Sequence, residues 1–187
     1  MKEISLHILD IFNNSLEAGA SLIEVSLDID EIQDLISVII KDNGCGMDED
    51  FLETIENPFT TTRSARSVGL GVPFLKQAAI MSDGRFRINS QKGVGTEIFA
   101  SFQIDNIDRM PIGNIIETIA AMVISLGKDC DLLFTQIYND HSFDFDTRQM
   151  REVLGQDISL SEPMVVAWVK KTLDDEYQDI CCNTDLF

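Results

Sequence analysis

The sequence predicts an α/β (α+β) fold, a two-layer sandwich of helices on a mixed sheet that is followed by a small C-terminal helix and hairpin appendage. Two patterns support this prediction. Apolar residues at alternate positions over 21–28 and the apolar segment 35–40 indicate strands, and apolar residues three or four positions apart, as over 5–17, indicate helices. The length of 187 residues suffices for one good core with a small addition to it.

The first hundred residues alternate between helical and strand patterns. Leu9, Phe12 and Leu16 recur at helical spacing, and Gly19 is suited to end this helix because glycine adopts positive φ without strain. The region 57–67 is rich in hydroxyl and basic side chains, which is typical of a loop. We predict helices over 5–17, 47–56 and 71–80, strands over 21–28, 35–40, 85–88 and 96–102, and a turn over 91–95.

The pattern changes after about Asp105, so we place a domain boundary between residues 1–104 and residues 105–187. The second part carries the signals of a helix, a hairpin and two further helices. Pro111 is a suitable first residue for an amphipathic helix, and two alternating segments around 139–142 indicate the hairpin. We predict its strands over 132–138 and 143–146, helices over 147–154 and 161–173, and packing of this appendage onto the first domain.

The charge distribution favours one class of ligand and disfavours others. A net charge of −18 argues against nucleic acid or an anionic membrane as a partner, because both would be repelled. Between Arg63 and Lys92, however, six basic residues and one acid give a local charge of +5, which leaves −23 for the remainder. A basic segment in an acidic chain is what a polyphosphate ligand requires.

The composition also indicates a compartment. No apolar run approaches the ~20 residues of a membrane span and the N-terminus lacks a signal-peptide core, which favours the cytoplasm. The four cysteines lack metal-type spacing, and free thiols are expected in a reducing compartment. Cys181 and Cys182 are adjacent, and they are either a metal- or redox-sensitive pair or two thiols on a frayed terminus.

Three short motifs, in this order, describe a nucleotide pocket. Asp10 and Asn14 stand one helical turn apart, so an acid and an amide share a face and can address a metal ion and a water together. Asp42 ends a strand and begins an Asp-Asn-Gly-Cys-Gly-Met turn, where a carboxylate can accept a hydrogen bond from a purine amine. The segment 69–71 (Gly-Leu-Gly) opens a helix, whose exposed amides and dipole can hold phosphate.

With these motifs, residues 5–104 resemble the Bergerat-type ATP-binding domain shared by histidine kinases, anti-sigma-factor kinases, MutL, gyrase B and Hsp90, and the histidine kinases most closely. The resemblance implies ATP and Mg²⁺ as cofactors. Asn14 would coordinate Mg²⁺, with Asn13 as the alternative ligand, and the Asn-Ser-Leu-Glu-Ala-Gly-Ala continuation, which resembles MutL, favours Asn14. Asp10 would be the catalytic base, although this position is often Glu, whose side chain reaches further.

The resemblance also implies the residues that contact the nucleotide. The Asp42 carboxylate would read the adenine 6-amino group, Thr96 would lie near the base, and the lid-like segment 57–63 with Lys76 would meet the phosphates. His7, on the face of the metal ligand, is either a solvated side chain or a phosphoacceptor. The implied nucleotide-binding residues are Asn14, Asp42, Gly44, Gly46, Met47, Thr61, Arg63, Gly69, Leu70, Gly71, Lys76 and Thr96.

Two functions are compatible with this resemblance. The first is a stand-alone kinase or slow ATPase of the histidine-kinase or anti-sigma type, which phosphorylates a separate protein partner on His or Ser. The second is an ATP-dependent conformational switch, whose lid reports the nucleotide state through residues 105–187 without phosphate transfer. A MutL- or gyrase-type machine is disfavoured because an acidic chain suits DNA poorly.

The resemblance extends loosely to small free-standing ATPase-domain proteins of anaerobic bacteria, some encoded near iron-only hydrogenase or NADH-oxidising subunits. That likeness implies a hydrogenase or redox-complex component, or its regulator, as the protein partner. The strand that usually precedes the first helix of the family is absent, which would leave a sheet edge unpaired. We expect the 132–145 hairpin, or a second subunit in a homodimer, to cover that edge.

Overall fold

The computed structural model describes residues 3–56, 71–155 and 158–180, which form six helices and one six-stranded mixed sheet. Helices pack on the sheet, so the predicted α/β sandwich is confirmed. The helices are α1 (Ile4–Glu17), α2 (Glu49–Glu56), α3 (Gly71–Met81), α4 (Ile115–Ser125), α5 (Thr147–Leu154) and α6 (Pro163–Ile180). The strands are β1 (Leu22–Asp30), β2 (Leu35–Asp42), β3 (Phe86–Gln91), β4 (Gly95–Gln103), β5 (Asp131–Tyr138) and β6 (His141–Asp146).

The strand order across the sheet is β3–β4–β2–β1–β5–β6. β5 lies beside β1 and runs parallel to it, with Val25 opposite Phe134, while the other neighbouring pairs are antiparallel. The hairpin therefore covers the edge of β1, as we expected, and it does so by extending the sheet. The division at residues 104 and 105 stays a prediction, and one continuous sheet draws strands from both sides of it.

One face of the sheet carries the hydrophobic core. Alternate residues of β1 from Ile23 to Ile29 are buried, because successive side chains of a strand point to opposite faces. Helix α1 packs against both α3 and α4, and its own apolar residues, Phe12 among them, are buried in the same core. This packing holds α1 in place beside the C-terminal end of β2, where the candidate site lies.

Helix α4 begins later than the sequence indicates. It starts at Ile115, where the Oδ1 atom of Asn114 accepts a hydrogen bond from the Glu117 amide at 3.0 Å, rather than at Pro111. The reason is that the carbonyls of Pro111 and Ile112 accept hydrogen bonds from the first amides of α1, at 3.0 and 2.8 Å. The segment before α4 thus completes the N-terminus of α1.

Helix α6 is longer than predicted, since it continues to Ile180 instead of ending at Leu173. The added turns carry Tyr177, which is buried and donates a hydrogen bond to Oε1 of Gln136 in β5 at 2.5 Å. This buried contact joins the end of the helix to the sheet. Among the described helices, none combines the length and the apolar composition that crossing a membrane would require.

Candidate functional site

A cavity of about 450 Å³ opens at the C-terminal end of β2. It lies between α1, the loop after β2, α2 and the turn that joins β3 to β4, and its volume suits a nucleotide-sized ligand. Five of the residues predicted to contact a nucleotide line it together, although they come from separate segments of the chain. These residues are Asn14, Asp42, Gly46, Met47 and Thr96.

The Asp42 carboxylate is held in one orientation by two hydrogen bonds. Its Oδ2 accepts from the Ser15 hydroxyl at 2.8 Å, and its Oδ1 accepts from the Gly44 amide at 2.9 Å. Ser15 is buried on α1, so the helix that carries Asn14 also orients this carboxylate. An ionised carboxylate can accept about four hydrogen bonds, so acceptor capacity remains. A purine amine in the cavity would meet an acceptor that is already oriented.

Asp10 and Asn14 carry buried polar atoms that lack partners among the described residues. Asp10 Oδ2 and Asn14 Nδ2 are shielded from solvent, and neither makes a hydrogen bond within the described part of the chain. A Cβ atom on Gly71 would collide with the Asp10 carboxylate, so the first turn of α3 lies directly against it. Buried polar groups are normally paired, because an unpaired one costs about 1–3 kcal/mol. These two atoms are therefore suited to a ligand that supplies the missing contacts.

The loop after β2 is held between α1 and the β3–β4 turn. The Cys45 amide donates a hydrogen bond to the carbonyl of Ala18, which caps the C-terminus of α1, at 2.9 Å. The Gly93 amide donates to the Cys45 carbonyl at 2.7 Å. Gly46 has a φ of 61°, and a Cβ atom there would collide with the Gln91 carbonyl. Glycine is required at this position, because other residues rarely adopt positive φ and all of them carry a Cβ.

Ser90 connects this loop to the strand that carries Thr96. Its Oγ accepts a hydrogen bond from the Met47 amide at 2.9 Å and lies 2.9 Å from Thr96 Oγ1. No sequence pattern singles out Ser90 or Ser15 as site residues. Ser90 can be identified from the register of β3 and β4, which places it directly opposite Thr96. The partnership of Ser15 with Asp42 is visible only in the folded chain.

Replacing Gly46 with Ala is expected to destabilise the fold more than replacing Gly93 with Ala. Both glycines have positive φ, 61° and 78°, so each substitution carries a backbone cost of about 1–2 kcal/mol. In the described structure a Cβ at Gly93 meets nothing within 4 Å. At Gly46 it displaces the Gln91 carbonyl, which adds about 1–3 kcal/mol. Urea unfolding measures both variants, and equal losses of stability would contradict the tight packing of the loop.

Other predicted site residues lie beside the cavity or outside the described residues. Asp10, Gly44 and Gly71 border it without lining it. The Nζ of Lys76 lies 5.9 Å from the ring centroid of Phe86, and its contact with phosphate stays a prediction. Thr61, Arg63, Gly69, Leu70, Cys181 and Cys182 lie outside the described residues, so the roles predicted for them stay predictions as well.

Three charged residues outside the predicted nucleotide-binding set also line the cavity: Glu17, Asp48 and Lys92, the last of which ends the basic segment of the sequence. The Nζ of Lys92 lies 3.8 Å from Oδ2 of Asp48, and both side chains are more than half exposed. Asp48 also accepts a hydrogen bond from the Phe51 amide at 3.0 Å and so caps α2. An exposed ion pair contributes about 0–1 kcal/mol, so it can open at little cost when a ligand enters. Lys92 thus brings a cation to the cavity.

His7 is buried rather than solvated, which corrects one of our expectations. Its side chain is 1% exposed, and its ring centroid lies 6.5 Å from that of Phe74 in α3, the helix that packs on this part of α1. Neither ring nitrogen has a hydrogen-bond partner within the described residues, and both are shielded from solvent, so His7 is not presented as a phosphoacceptor. Burial lowers the pKa of His7 below its ordinary value of 6.5.

Buried His7 is expected to make the protein less stable in mild acid. Because the pKa of His7 is lower in the folded chain, the unfolded chain binds the proton more readily, and stability falls as the pH drops below 6.5. The His7→Leu variant should therefore lose less unfolding free energy between about pH 7.5 and about pH 5.5 than the wild type does. His141→Leu is the matched control, since His141 is exposed on β6. An equal effect of the two substitutions would contradict the assignment.

Comparison with known proteins gives one family match and several relatives. The model of a family described as histidine kinase-, DNA gyrase B-, and HSP90-like ATPase matches residues 2–106, more than half of the chain. The similar proteins include the sensor histidine kinase YvrG of Bacillus subtilis (26% identical over 98 residues). They also include the autoinducer 2 sensor kinase/phosphatase LuxQ of Vibrio parahaemolyticus (33% over 81 residues) and the CAI-1 autoinducer sensor kinase/phosphatase CqsS of Vibrio cholerae (28% over 95 residues).

These matches cover 50%, 41% and 51% of this chain, but only 17%, 9% and 14% of the three relatives. Two solved structures are also similar. One is the Aquifex aeolicus MutL ATPase domain complexed with ADP (16% identity, TM-score 0.47, 82% of this chain and 69% of that chain). The other is the N-terminal domain of a DNA repair protein (12% identity, TM-score 0.50, 78% of this chain and 52% of that chain), whose likeness shows the fold alone.

Proposed function

The chain belongs to the family of histidine kinase-, DNA gyrase B- and HSP90-like ATPases, and on that premise we propose that it binds Mg²⁺-ATP in the cavity at the end of β2. The observation that carries the proposal is the convergence of Asn14, Asp42 and Thr96 on this one cavity. The Asp42 carboxylate, oriented by Ser15 and Gly44, would accept a hydrogen bond from the adenine 6-amino group. Guanine presents an oxygen there, so the site should select adenine.

The residues at the other end of the cavity fit a magnesium-bound polyphosphate. Mg²⁺ prefers oxygen ligands and is usually shared between few protein groups and substrate phosphates, which suits a single amide such as Asn14. Within the described residues no cluster of three His, Cys, Asp or Glu side chains could hold a metal ion. The first turn of α3 lies beside Asp10, and its backbone amides and the helix dipole would favour a negatively charged phosphate group there. When bound, Mg²⁺ would neutralise charge on the phosphates.

Asp10 is the candidate proton acceptor at the phosphate end. Its Oδ2 is buried, has no partner among the described residues and lies against the first turn of α3. A nucleophile held there, either water or a side chain of a partner protein, would give its proton to this carboxylate. The chain would then act as a kinase or slow ATPase that regulates a protein partner. The sensor kinases among its relatives support this class of function.

A second candidate function is an ATP-dependent switch without phosphate transfer. The observation that favours it is the position of Asp10, whose carboxylate packs against Gly71 and does not line the described cavity. A side chain set back in this way would leave a bound nucleotide intact, because a general base must come within hydrogen-bond reach of the proton it removes. The nucleotide state would then reach a partner through residues 105–187.

The partner, the compartment and the oligomeric state belong to the same proposal. Residues 105–187 carry sixteen acidic and six basic side chains, a charge of −10, which suits docking of a protein with a basic surface. The likeness to ATPase-domain proteins encoded near hydrogenases favours a redox-complex component or its regulator. We place the protein in the cytoplasm, as a homodimer that binds neither nucleic acid nor membrane.

Isothermal titration calorimetry with ATP and Mg²⁺ tests the binding step. We expect saturable heat with ATP and none with GTP at the same concentrations, and absence of heat at millimolar ATP would refute the site. Incubation with radiolabelled ATP and co-purified proteins then separates the two functions. Label on a protein, or release of phosphate, supports the kinase or ATPase. Tight binding without either product supports the switch.

A further inference from the structure

The sheet face opposite the core carries partly or fully exposed side chains on all six strands. Because directly opposed residues of neighbouring strands share a face, the strand register arranges these side chains in rows across the sheet. The first row reads Arg87, Phe99, Ile39, Ser26, Thr135 and Asp144. The second row reads Asn89, Glu97, Lys41, Glu24, Leu133 and Asp146.

The charge on this face changes sign from one edge of the sheet to the other. At the β3 edge Arg85 and Arg87 are exposed, and neither forms an ion pair within the described residues. The guanidinium of Arg87 lies over the ring of Phe99, 5.4 Å from its centroid. At the β6 edge Asp140 and Asp144 are exposed and form no ion pair within the described residues, while Asp146 is paired with the exposed Arg148 at 2.7 Å. Between these edges the first row is apolar or hydroxyl-bearing, whereas the second row carries Glu97 and an ion pair between Lys41 and Glu24 at 3.4 Å.

We propose that this face is the interface of a homodimer whose twofold axis runs parallel to the strands. Such an axis places β3 of one subunit over β6 of its partner and sets each row opposite itself. Arg87 then faces Asp144 of the partner subunit, twice in the dimer. The Lys41–Glu24 ion pair of one subunit lies over that of the other, with opposite charges facing. An axis across the strands would instead set β3 on β3, with like charges opposed. The face is thus complementary to itself in one arrangement.

The proposed axis also places the β5–β6 hairpin of one subunit next to a groove on the other subunit. A cavity of about 680 Å³ lies at the β3 edge of this face, lined among others by Arg85, Arg87 and Phe99. The tip of the β5–β6 hairpin, residues 139–142, lies at the same end of the sheet on the opposite edge. The proposed axis therefore sets the hairpin tip of one subunit over the groove of the other.

The size and composition of the face are adequate for a dimer. Six strands spaced about 4.8 Å apart and roughly 25 Å long give on the order of 600 Å² per subunit. Specific interfaces bury roughly 600–1,000 Å² per partner, so this area lies at the lower end of that range, and the hairpin contact adds to it. Ile39, which is 39% exposed, lies beside the axis and would be covered. Two copies that each carry a net charge of −18 repel each other. An interface between them therefore requires a surface on which opposite charges face each other, as they do on this face.

Charge reversal tests the dimer. In sedimentation velocity we expect the wild type to have twice the chain mass of 20.9 kDa. Arg87→Glu and Asp144→Arg should each raise the dimer dissociation constant at least about tenfold, and the double variant should restore it to within about threefold. Lys128→Glu, an exposed residue outside these rows, is the control for the charge change and should leave the dimer intact. A monomeric wild type, or a double variant no tighter than the single ones, overturns the proposal.

Disulfide trapping gives a second readout that does not depend on stable dimerisation. Arg87 and Asp144 lie on the two outermost strands, so cysteines at both positions of one chain are too far apart to bond with each other. The Arg87→Cys/Asp144→Cys variant should form a covalent dimer under mild oxidation, faster than either single-cysteine variant. Equal rates for the three variants would overturn the proposed arrangement, and calorimetry with ATP remains a separate test of the nucleotide site.

Discussion

Asp42→Asn is expected to weaken ATP binding by about two orders of magnitude while leaving the fold intact. The Gly44 amide requires an acceptor, so the asparagine oxygen is held at the Oδ1 position and its NH₂ group faces Ser15 and the cavity. An adenine amine there meets a donor instead of a carboxylate. The lost charged hydrogen bond costs about 2–3 kcal/mol, or roughly 30- to 150-fold in Kd. Calorimetry with ATP and Mg²⁺ measures the change.

Asp48→Asn is the matched control for this prediction. Asp48 also lines the cavity, and the substitution makes the same change of charge and shape. Asparagine can keep the cap of α2, because its side-chain oxygen still accepts a hydrogen bond from the Phe51 amide. We expect its Kd to stay within about threefold of the wild type, since an exposed pair with Lys92 is worth little. If Asp42→Asn behaved like this control, the adenine contact would be disproved.

Asp10→Asn is expected to lower the rate of hydrolysis or phosphate transfer by about 10²- to 10⁴-fold, which is the usual contribution of a general base. Its effect on ATP affinity should be small, because the carboxylate lies against the first turn of α3 and outside the cavity lining. The substitution preserves the shape of the side chain, so the contact with Gly71 is kept. Single-turnover measurements with ATP bound to every chain separate the chemical step from binding.

Glu17→Gln provides the control for Asp10. Glu17 lies on the same helix, is exposed and lines the cavity, so the variant removes a negative charge near the nucleotide without touching the proton acceptor. A loss of turnover in Asp10→Asn but not in Glu17→Gln supports the kinase or ATPase. Unchanged slow turnover in both variants, together with tight ATP binding, supports the switch.

Much of the fold could be predicted because its elements carry local signals. The alternation in β1, the apolar segment of β2 and the helical spacing in α1 place these elements within a few residues of their observed bounds. Local signals are weaker where distant segments compete for the same backbone groups. Pro111 is a good helix-starting residue, yet its carbonyl accepts a hydrogen bond from Ile4 at the start of α1, and α4 begins later. The length of α6 likewise depends on the contact of Tyr177 with β5.

The residues of the candidate site likewise fall into those that sequence motifs predict and those that only the folded structure reveals. Asn14, Asp42 and Thr96 could be named from their motifs, because glycines and strand ends mark those positions. Ser15 and Ser90 could not be named, since a serine carries no local mark of which distant carboxylate or hydroxyl it will bind. His7 shows the opposite error, because a polar residue three positions before Asp10 looks exposed until α3 covers it.

The parallel pairing of β1 with β5 has a consequence for synthesis of the protein. During translation β1 lacks its second neighbouring strand until β5 has been made. Val25 pairs with Phe134, which lies about three quarters of the way along the chain. Throughout that interval a nascent chain exposes the unpaired edge of a mostly apolar strand, which is the kind of surface that chaperones shield and aggregates recruit. Contacts so distant along the chain also slow folding, so we expect the pairing of β5 with β1 to be among the slower steps.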